Sequence, residues 1–214
     1  MKHHLPSIVL GDTPYYSHSS GCFYTATDGS AVDVFTQFHL ERSLNTLIVR
    51  FDCRDNPFIY FNRMTETNDD LYNQEVFEIF IAAGEEDPMD YLEIEINPNN
   101  ALWVGWVHNS TLGLGPEPNT LTMIEKDKIL IQHKVICQAS SWSGELHIPL
   151  SMITDRVDEK HFRINFYRIV AKVQPENNQW VCTQENAHFL CWSPTMSGQV
   201  PAFHRPTYFG HLQL

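Results

Sequence analysis

Two separated segments of the chain place aromatic rings beside polar side chains. The first, residues 72–81, begins with Tyr72 and contains Glu78 within a strand-like run. The second, residues 191–214, closes the chain and contains Phe203. A pyranose has an apolar C–H face that stacks on an aromatic ring and hydroxyl groups that need polar partners. Both segments therefore offer the combination of groups that sugar binding requires.

The closing segment adds two hydrogen-bond donors next to its aromatic ring. His204 and Arg205 directly follow Phe203, and both imidazole and guanidinium groups donate to hydroxyls or carboxylates. Pro201 and Pro206 should stiffen this loop, which lowers the entropy lost on binding. The alternative roles are structural: a capping hydrogen bond for the polar pair, and packing against the edge of the fold for the ring.

The first segment also leaves two interpretations open. Tyr72 follows the polar run at 65–70, so it is either a ligand platform or a cover over the core. Glu78 interrupts an apolar run and needs a partner or water. We expect it on an outward face with Glu93 and Glu95. Carboxylates that share a face raise one another's pKa, which would suit an acid/base pair, although a solvated face is the plainer alternative.

Strict alternation of apolar and polar residues dominates the chain and defines its predicted elements. The clearest case is residues 92–96, where Leu and Ile alternate with Glu. A period of two indicates a half-buried strand. A helical turn is expected at 149–153, where Pro149 suits a first turn. Strands are predicted at residues 47–52, 76–81, 92–96, 102–107, 129–136, 145–148, 162–169 and 208–214.

The spacing of these strands predicts the fold class. Clusters of Asn, Pro and Gly separate them at the intervals of an antiparallel sandwich. With 214 residues and 43% hydrophobic content, the chain is long enough for one well-filled core. We predict an all-β fold, an antiparallel β-sandwich of jelly-roll type, as a single domain over residues 1–214.

Charge argues against two classes of partner. The chain has 14 Lys and Arg against 26 Asp and Glu, a formal net charge of -12. This excess repels phosphate backbones and anionic lipid surfaces, so we expect no nucleic-acid partner and no membrane partner. The oligomeric state is left open.

Cysteines and the amino terminus bear on the cellular compartment. An odd number of cysteines without C-x-x-C spacing does not indicate a disulfide framework. The first residues lack the apolar stretch of a secretory signal. We therefore expect a cytoplasmic protein, or a secreted one if a leader was removed. The five cysteines are Cys22, Cys53, Cys137, Cys182 and Cys191.

Five motifs follow one another in a recognisable order. They are an acidic central strand at 75–81, a strand at 91–98, a segment from a tryptophan to Ile-Pro at 142–149, F-x-I-N-x-x-R at 162–168, and W-S-P … F-H-x-P-x-x-F-G-x-L at 192–212. In this order they resemble the family 9 carbohydrate-binding modules and their stand-alone relatives, which share a DOMON-like β-sandwich. The resemblance runs from about residue 35 to the last residue.

This resemblance implies a binding mode. In the best-known modules of that family, a terminal sugar is clamped between two aromatic rings, which here would be Tyr72 and Phe203, with Glu78 as the acidic partner. The xylanase-linked modules have tryptophan at both ring positions. Glu95 stands where those modules carry an arginine, so a charge-assisted donor is missing.

The family also implies two broader properties. Some relatives hold structural calcium, for which the chain offers Asp52, Asp55, Asp69 and Asp70 as oxygen ligands. No other cofactor is expected. A link to polysaccharide breakdown is implied by the resemblance alone.

We predict non-catalytic binding of a mono- or oligosaccharide, with one sugar ring stacked between Tyr72 and Phe203. The rings would then face each other across about 7–8 Å, twice a carbon–carbon contact distance. One alternative is a glycan-processing hydrolase or lyase that uses the acidic face. Another is a sandwich that has lost its ligand and serves as an interaction scaffold. The predicted hydroxyl-binding residues are Glu78, Glu95, His204 and Arg205.

Overall fold

Two packed β-sheets make up the architecture. The computed structural model describes residues 4–17, 23–115 and 117–214, and Cys22 lies outside them. The described residues form fourteen strands and five short 3₁₀ turns, with no α-helix among them. The predicted antiparallel β-sandwich is therefore confirmed.

The larger sheet has nine strands and the smaller sheet has five. The larger contains β1 (Ser7–Val9), β3 (Tyr24–Thr25), β6 (Val76–Ala83), β7 (Asp90–Ile96), β8 (Leu102–His108), β9 (Thr120–Met123), β12 (His161–Ala171), β13 (Ala187–Cys191) and β14 (Gly210–Gln213). The smaller contains β2 (Tyr15–Tyr16), β4 (Thr36–Ser43), β5 (Thr46–Cys53), β10 (Gln132–Cys137) and β11 (Trp142–Pro149).

Strand order places the long strand β12 and strand β6 at the centre of the larger sheet. The order is β1-β14-β12-β6-β7-β8-β9, while β13 pairs with the second half of β12 and β3 pairs with β13. The smaller sheet has the order β10-β11-β5-β4-β2. The pairing of β1 with β14 is parallel, and the other described strand pairings are antiparallel.

Stacked aromatic rings fill the space between the sheets. Phe51 of the smaller sheet stacks on Phe77 of the larger with ring centroids 4.2 Å apart. Phe38 and Phe166 make the same kind of contact at 4.0 Å. Such pairs contribute about 0.5–1.5 kcal/mol beyond the burial of their area. Gly144 leaves room for this packing, since a Cβ there would collide with the Phe51 ring.

A buried ion pair joins the two sheets at one end of the sandwich. The Arg168 guanidinium contacts the Glu75 carboxylate at 2.9 Å, and both side chains are fully buried. Arg168 also donates to Thr36 Oγ1, and Trp142 Nε1 donates to Glu75 at 2.7 Å. Asn56 Nδ2 donates to the same carboxylate. The pair is therefore well supplied with hydrogen bonds, which offset the cost of taking two charges out of water.

The outer face of the larger sheet is also covered, because the closing segment of the chain packs on it. Three outward side chains of β12 donate to carbonyls of that segment. Arg163 reaches Phe209 O at 2.7 Å, Asn165 reaches Ser193 O at 2.8 Å, and Tyr167 reaches Phe203 O at 3.1 Å. A second apolar cluster lies under this cover and includes Phe80, Tyr91, Trp103, Tyr167 and Phe209.

The strand predictions are confirmed where alternation is long. The eight predicted strands correspond to β5, β6, β7, β8, β10, β11, β12 and β14, although β10 begins three residues later than expected, at Gln132. The helical turn appears as a 3₁₀ turn at Leu150–Met152. Six strands were not predicted: β1, β2, β3, β9 and β13, which are short or exposed, and β4, which has eight residues and alternates in burial.

Replacing Glu75 by alanine should destabilise the protein strongly, because Arg168 would stay buried without its counter-charge. Breaking a buried pair in this way costs about 3–5 kcal/mol. The measurement is the free energy of unfolding in urea. Glu125→Ala is the matched control, since it removes the exposed partner of Lys128 and should cost less than about 1 kcal/mol. Equal losses in the two variants would contradict this role for the pair.

Candidate functional site

A cleft of about 600 Å³ opens on the outer face of the larger sheet. Its floor is acidic, with Glu78 from β6 and Glu93 and Glu95 from β7. Its walls are mainly apolar and include Trp103 of β8 and Phe189 of β13. The cleft therefore combines the two surfaces that a sugar ring needs, an aromatic wall and a polar floor.

Strand geometry alone gathers the three carboxyl groups. Glu78 and Glu95 face each other across the antiparallel β6–β7 pair. Glu93 lies two residues from Glu95 and hence on the same face of β7. That face points away from the smaller sheet, as the neighbouring positions Phe80 and Tyr91 show by joining the outer cluster. The predicted outward acidic face is thus present, but it is buried rather than solvated.

Burial makes these carboxyl groups hold their protons. Desolvation raises the pKa of Glu78 and of Glu95 well above the usual range, and the charges of the neighbouring glutamates raise both further. Desolvation raises the pKa of Glu93 to about 8. Four carboxyl oxygens in the floor have no hydrogen-bond partner among the described residues: Glu78 Oε1, Glu93 Oε2, Glu95 Oε1 and Glu95 Oε2.

His204 contributes a neutral imidazole to the cleft. Its Nδ1 lies 2.7 Å from the Tyr91 hydroxyl, and its ring stacks on Phe80 with centroids 5.1 Å apart. Burial lowers the pKa of His204 to about 4, so the ring is uncharged near neutral pH. A neutral ring that accepts the Tyr91 proton at Nδ1 carries its own hydrogen on Nε2. We assign this tautomer, which offers a donor to a ligand.

The two predicted aromatic platforms line the same cleft but differ in exposure. Tyr72 is 45% exposed, and Phe203 is only 9% exposed. One face of Phe203 stacks on Tyr167 at 4.5 Å, and its edge meets Phe189 at 6.0 Å. Tyr72 therefore presents the open ring surface, whereas Phe203 is anchored in the wall.

Backbone contacts hold Tyr72 at the rim. It lies in the 3₁₀ turn Leu71–Asn73, immediately before β6. The Cys182 amide donates to Asn73 O at 2.8 Å, and the Cys182 thiol donates to Tyr72 O at 3.1 Å. Gln74 Nε2 donates to Trp180 O at 2.9 Å. The turn and the loop that precedes β13 are therefore fixed to each other, which orders the platform before any ligand arrives.

Arg205 is the predicted site residue that the structure places outside the lining of the cleft. Its guanidinium donates to Thr195 O at 2.8 Å and to Met196 O at 2.5 Å. It also lies over the Tyr208 ring at 4.8 Å. These contacts fit the structural role that the sequence left open. The other five predicted residues, Tyr72, Phe203, Glu78, Glu95 and His204, all line the cleft.

Several lining residues were not predicted as site residues. Glu93 was placed on the acidic face but not among the binding residues. Trp103 lies in the predicted strand at 102–107 but was not predicted as a site residue. Leu121 belongs to the unpredicted strand β9, and Phe189 belongs to the unpredicted strand β13. The alternation of β7 already indicated Glu93, because it shares the face of Glu95.

The four aspartates considered for calcium are not gathered into one site. Asp52 pairs with Arg54, and Asp69 accepts hydrogen bonds from the amides of Thr65 and Glu66. Asp55 accepts from an amide in a different loop. Among the described residues, no three His, Cys, Asp or Glu side chains come together as a metal site. The described side chains therefore form no shared acidic cluster for calcium, and structural calcium stays a prediction.

The outer face of the smaller sheet bears a second and larger concavity, of about 730 Å³. Four of the five Lys, Arg, Asp and Glu side chains in its lining are already paired. Arg50 contacts Glu41 at 2.9 Å and also Glu145, while Arg54 pairs with Asp52. The unpartnered oxygens lie instead in the cleft on the larger sheet, so we take that cleft as the candidate site despite its smaller volume.

Sequence similarity links the chain to a protein family and to an extracellular protein. A family model described as carbohydrate-binding family 9 matches residues 33–214. An extracellular protein from Arthroderma benhamiae is 29% identical over 149 residues, which make up 67% of this chain and 67% of that protein. No described helix is long and apolar enough to cross a bilayer.

Solved structures share the fold at low sequence identity. A putative carbohydrate-binding protein from Bacteroides uniformis has a TM-score of 0.63 and 17% identity, covering 89% of this chain and 85% of that one. A family 9 carbohydrate-binding module from Caldicellulosiruptor kristjanssonii, in complex with glucose, has a TM-score of 0.52 and 15% identity over 98% and 95%. Its cellotriose complex gives 0.51 and 15% over 97% and 92%.

Stability should fall as pH rises through the range in which Glu93 loses its proton. The usual pKa of a glutamate side chain is 4.5, and burial in the fold raises the pKa of Glu93 to about 8. Between these values the folded state binds more protons than the unfolded state, so the unfolding free energy decreases with pH, by at most about 1.4 kcal/mol per pH unit for one group. Glu93→Gln removes the contribution of Glu93, while the contributions of Glu78 and Glu95 remain. Between pH 5 and pH 8 the variant should therefore lose less unfolding free energy than the wild type.

The measurement is urea unfolding at both pH values, with Glu86→Gln as an exposed control that should follow the wild type. Parallel pH profiles for wild type and Glu93→Gln would contradict the buried, protonated state of Glu93.

Proposed function

The chain belongs to carbohydrate-binding family 9, and from this we propose that it binds the terminal unit of a mono- or oligosaccharide in the cleft, without catalysing a reaction. One observation carries the proposal. Three buried glutamates line a space of about 600 Å³ whose walls are mainly apolar and include aromatic rings. The glucose and cellotriose complexes of the similarly folded module support a saccharide as the ligand class.

The proposed binding mode differs in detail from a symmetric clamp. The apolar face of a sugar stacks on Tyr72, which has the exposed ring, and the ring edge meets Phe203 in the wall. Hydroxyl groups donate to the carboxyl groups of Glu78 and Glu95 in the lining of the cleft. His204 Nε2 donates to a hydroxyl or ring oxygen. Arg205 takes no part, because its guanidinium is held by backbone carbonyls on another side of its loop.

These interactions set the scale of affinity. Ring stacking contributes about 0.5–1.5 kcal/mol beyond area burial for each contact. Each hydrogen bond contributes about 1 kcal/mol net, and bonds to charged groups somewhat more. The sum, after the cost of association, corresponds to dissociation constants on the order of micromolar to millimolar.

An extracellular location is part of the proposal. The relative from Arthroderma benhamiae is named as an extracellular protein. The cytoplasmic location expected from the sequence has no comparable support. Outside the cell, a binding protein of this kind would hold polysaccharide fragments, which agrees with the link to polysaccharide breakdown that the family resemblance implies.

Tyr72→Ala should weaken sugar binding about tenfold, because it removes the exposed stacking surface, worth about 1.4 kcal/mol. The measurement is isothermal titration of glucose and cellotriose into wild type and variant. Tyr16→Ala is the matched control, since Tyr16 is also an exposed tyrosine but belongs to the smaller sheet. Absence of binding to the wild type at tens of millimolar sugar would overturn the proposal.

A second candidate function, glycan hydrolysis or elimination, is favoured by one observation. Three carboxyl groups with raised pKa values share a cleft, the arrangement from which general acids and bases are drawn. It predicts turnover of a glycan that disappears in Glu78→Gln while the thermal unfolding of the variant stays cooperative. The readout is release of reducing ends from oligosaccharides over hours. Absence of turnover by the wild type would leave the binding function alone.

A further inference from the structure

The acidic floor of the cleft has no positive counter-charge. Among the described residues that line the cleft there is no lysine and no arginine, and His204 is neutral near pH 7. The described arginines that contact acids do so elsewhere. They form the pairs Arg50 with Glu41 and Glu145, Arg54 with Asp52, Arg156 with Glu159, Arg163 with Asp87, and Arg168 with Glu75.

This lack of pairing is unusual for buried carboxyl groups. Groups such as Glu93 and Glu95, which are nearly inaccessible, are ordinarily paired or hydrogen-bonded, because water is no longer there to solvate them. Here four carboxyl oxygens of Glu78, Glu93 and Glu95 are buried and accept no hydrogen bond among the contacts between described residues, and the three side chains lie in the lining of the cleft. A ligand that enters the cleft is therefore placed to act as their partner.

A neutral sugar can supply hydrogen-bond donors to these carboxyl groups but not a positive charge. Its hydroxyl groups can donate hydrogen bonds to the carboxyl oxygens, but they bring no charge. An ammonium group brings three donors and a positive charge at once, and its hydrogen bonds to carboxylates are roughly twice as strong as those between neutral groups. The aromatic walls around Tyr72 and Trp103 also favour a cation, since ring faces attract positive charge.

We propose that the saccharide bound in this cleft is an amino sugar, whose protonated amine is the counter-charge for Glu78, Glu93 and Glu95. This inference rests on the proposed sugar-binding function and narrows it to a class of ligand, glucosamine and its β-linked oligomers being the simplest members. The amine sits over the acidic floor while the sugar ring stacks on Tyr72. N-Acetylation removes the positive charge and therefore abolishes the gain in affinity over a neutral sugar.

Binding of the cation is coupled to loss of protons. Burial and mutual repulsion keep the three glutamates protonated in the free protein near pH 7. The ammonium favours their ionised form, so at least one proton passes from a carboxyl group to the solvent as the ligand enters. The other titratable groups that face the trio are Tyr72, Cys182 and His204 in the lining, and Tyr91, Tyr167 and Cys191 beneath it. All of them are neutral at this pH.

The experiment compares glucosamine, glucose and N-acetylglucosamine by isothermal titration with the intact chain at pH 7. Glucosamine should bind at least tenfold more tightly than glucose, and N-acetylglucosamine should show no such gain. Titrations in phosphate and in MOPS, which differ in ionisation enthalpy and are not primary amines, should reveal proton release for glucosamine and none for glucose. 2-Aminoethanol, which has the amine but no ring, should bind more weakly than glucosamine.

Matched variants test whether the glutamates of the floor cause the preference for glucosamine over glucose. Glu78→Gln and Glu95→Gln should each reduce the ratio of glucosamine to glucose affinity at least fivefold, whereas Glu86→Gln, exposed and distant from the floor, should keep the wild-type ratio. Circular dichroism checks that each variant is folded. If a variant fails to fold, the comparison of ligands on the wild type still decides the question.

The outcomes separate this inference from the proposed function. Binding of glucose that equals or exceeds that of glucosamine overturns the amino-sugar assignment and leaves sugar binding intact. Tight binding of 2-aminoethanol overturns it as well, because the sugar ring would then be dispensable. Absence of binding by all three sugars overturns both.

Discussion

The cleft exists because three outward side chains of β12 hold the closing segment of the chain against the larger sheet. Arg163, Asn165 and Tyr167 alternate along the strand and each donates to a carbonyl in residues 193–209. Without this cover, the outer face of β6 and β7 would be an ordinary solvated sheet surface. With it, Phe203 and His204 stand over the glutamates, water is excluded from their sides, and the pKa values rise.

Most strands that could be predicted from the sequence have one buried face and are long enough for alternation to show. Strand β4 has both features and was nevertheless not predicted. In β7 the contrast between Leu92 or Ile94 and the glutamates is strong over the whole strand. All four residues of β9 are exposed, so no alternation of polarity marks it. Strands β2 and β3 have two residues each, too few to display a period of two. The larger sheet is buried on both faces, and alternation does not indicate that the closing segment covers its outer face.

Strand alternation likewise predicts some residues of the site and not others. The alternation of β6 and β7 places Glu78 and Glu95 on one face, which the sequence indicates directly. What lies over that face depends on a long-range contact. The residues alone marked Tyr72 and Phe203 as candidates, and only the family resemblance paired them around one sugar. Arg205 illustrates the limit of sequence adjacency. It follows His204 in an irregular loop, where successive side chains need not share a side, and its guanidinium turns to the carbonyls of Thr195 and Met196.

The fold keeps its buried glutamates uncharged or paired in two different ways, one between the sheets and one in the floor of the cleft. Glu75 lies between the sheets with Arg168, Trp142 and Asn56 as partners, so its charge is compensated within the protein and serves cohesion. The glutamates of the floor have no such partners and remain neutral only by keeping their protons, at a cost in stability that grows with pH. The same fold supplies partners to the Glu75 carboxylate and none of this kind to the glutamates of the floor. A local loss of stability of this kind is typical of functional sites. Here it leaves carboxyl groups that can accept hydrogen bonds from a ligand and can ionise when a cation binds.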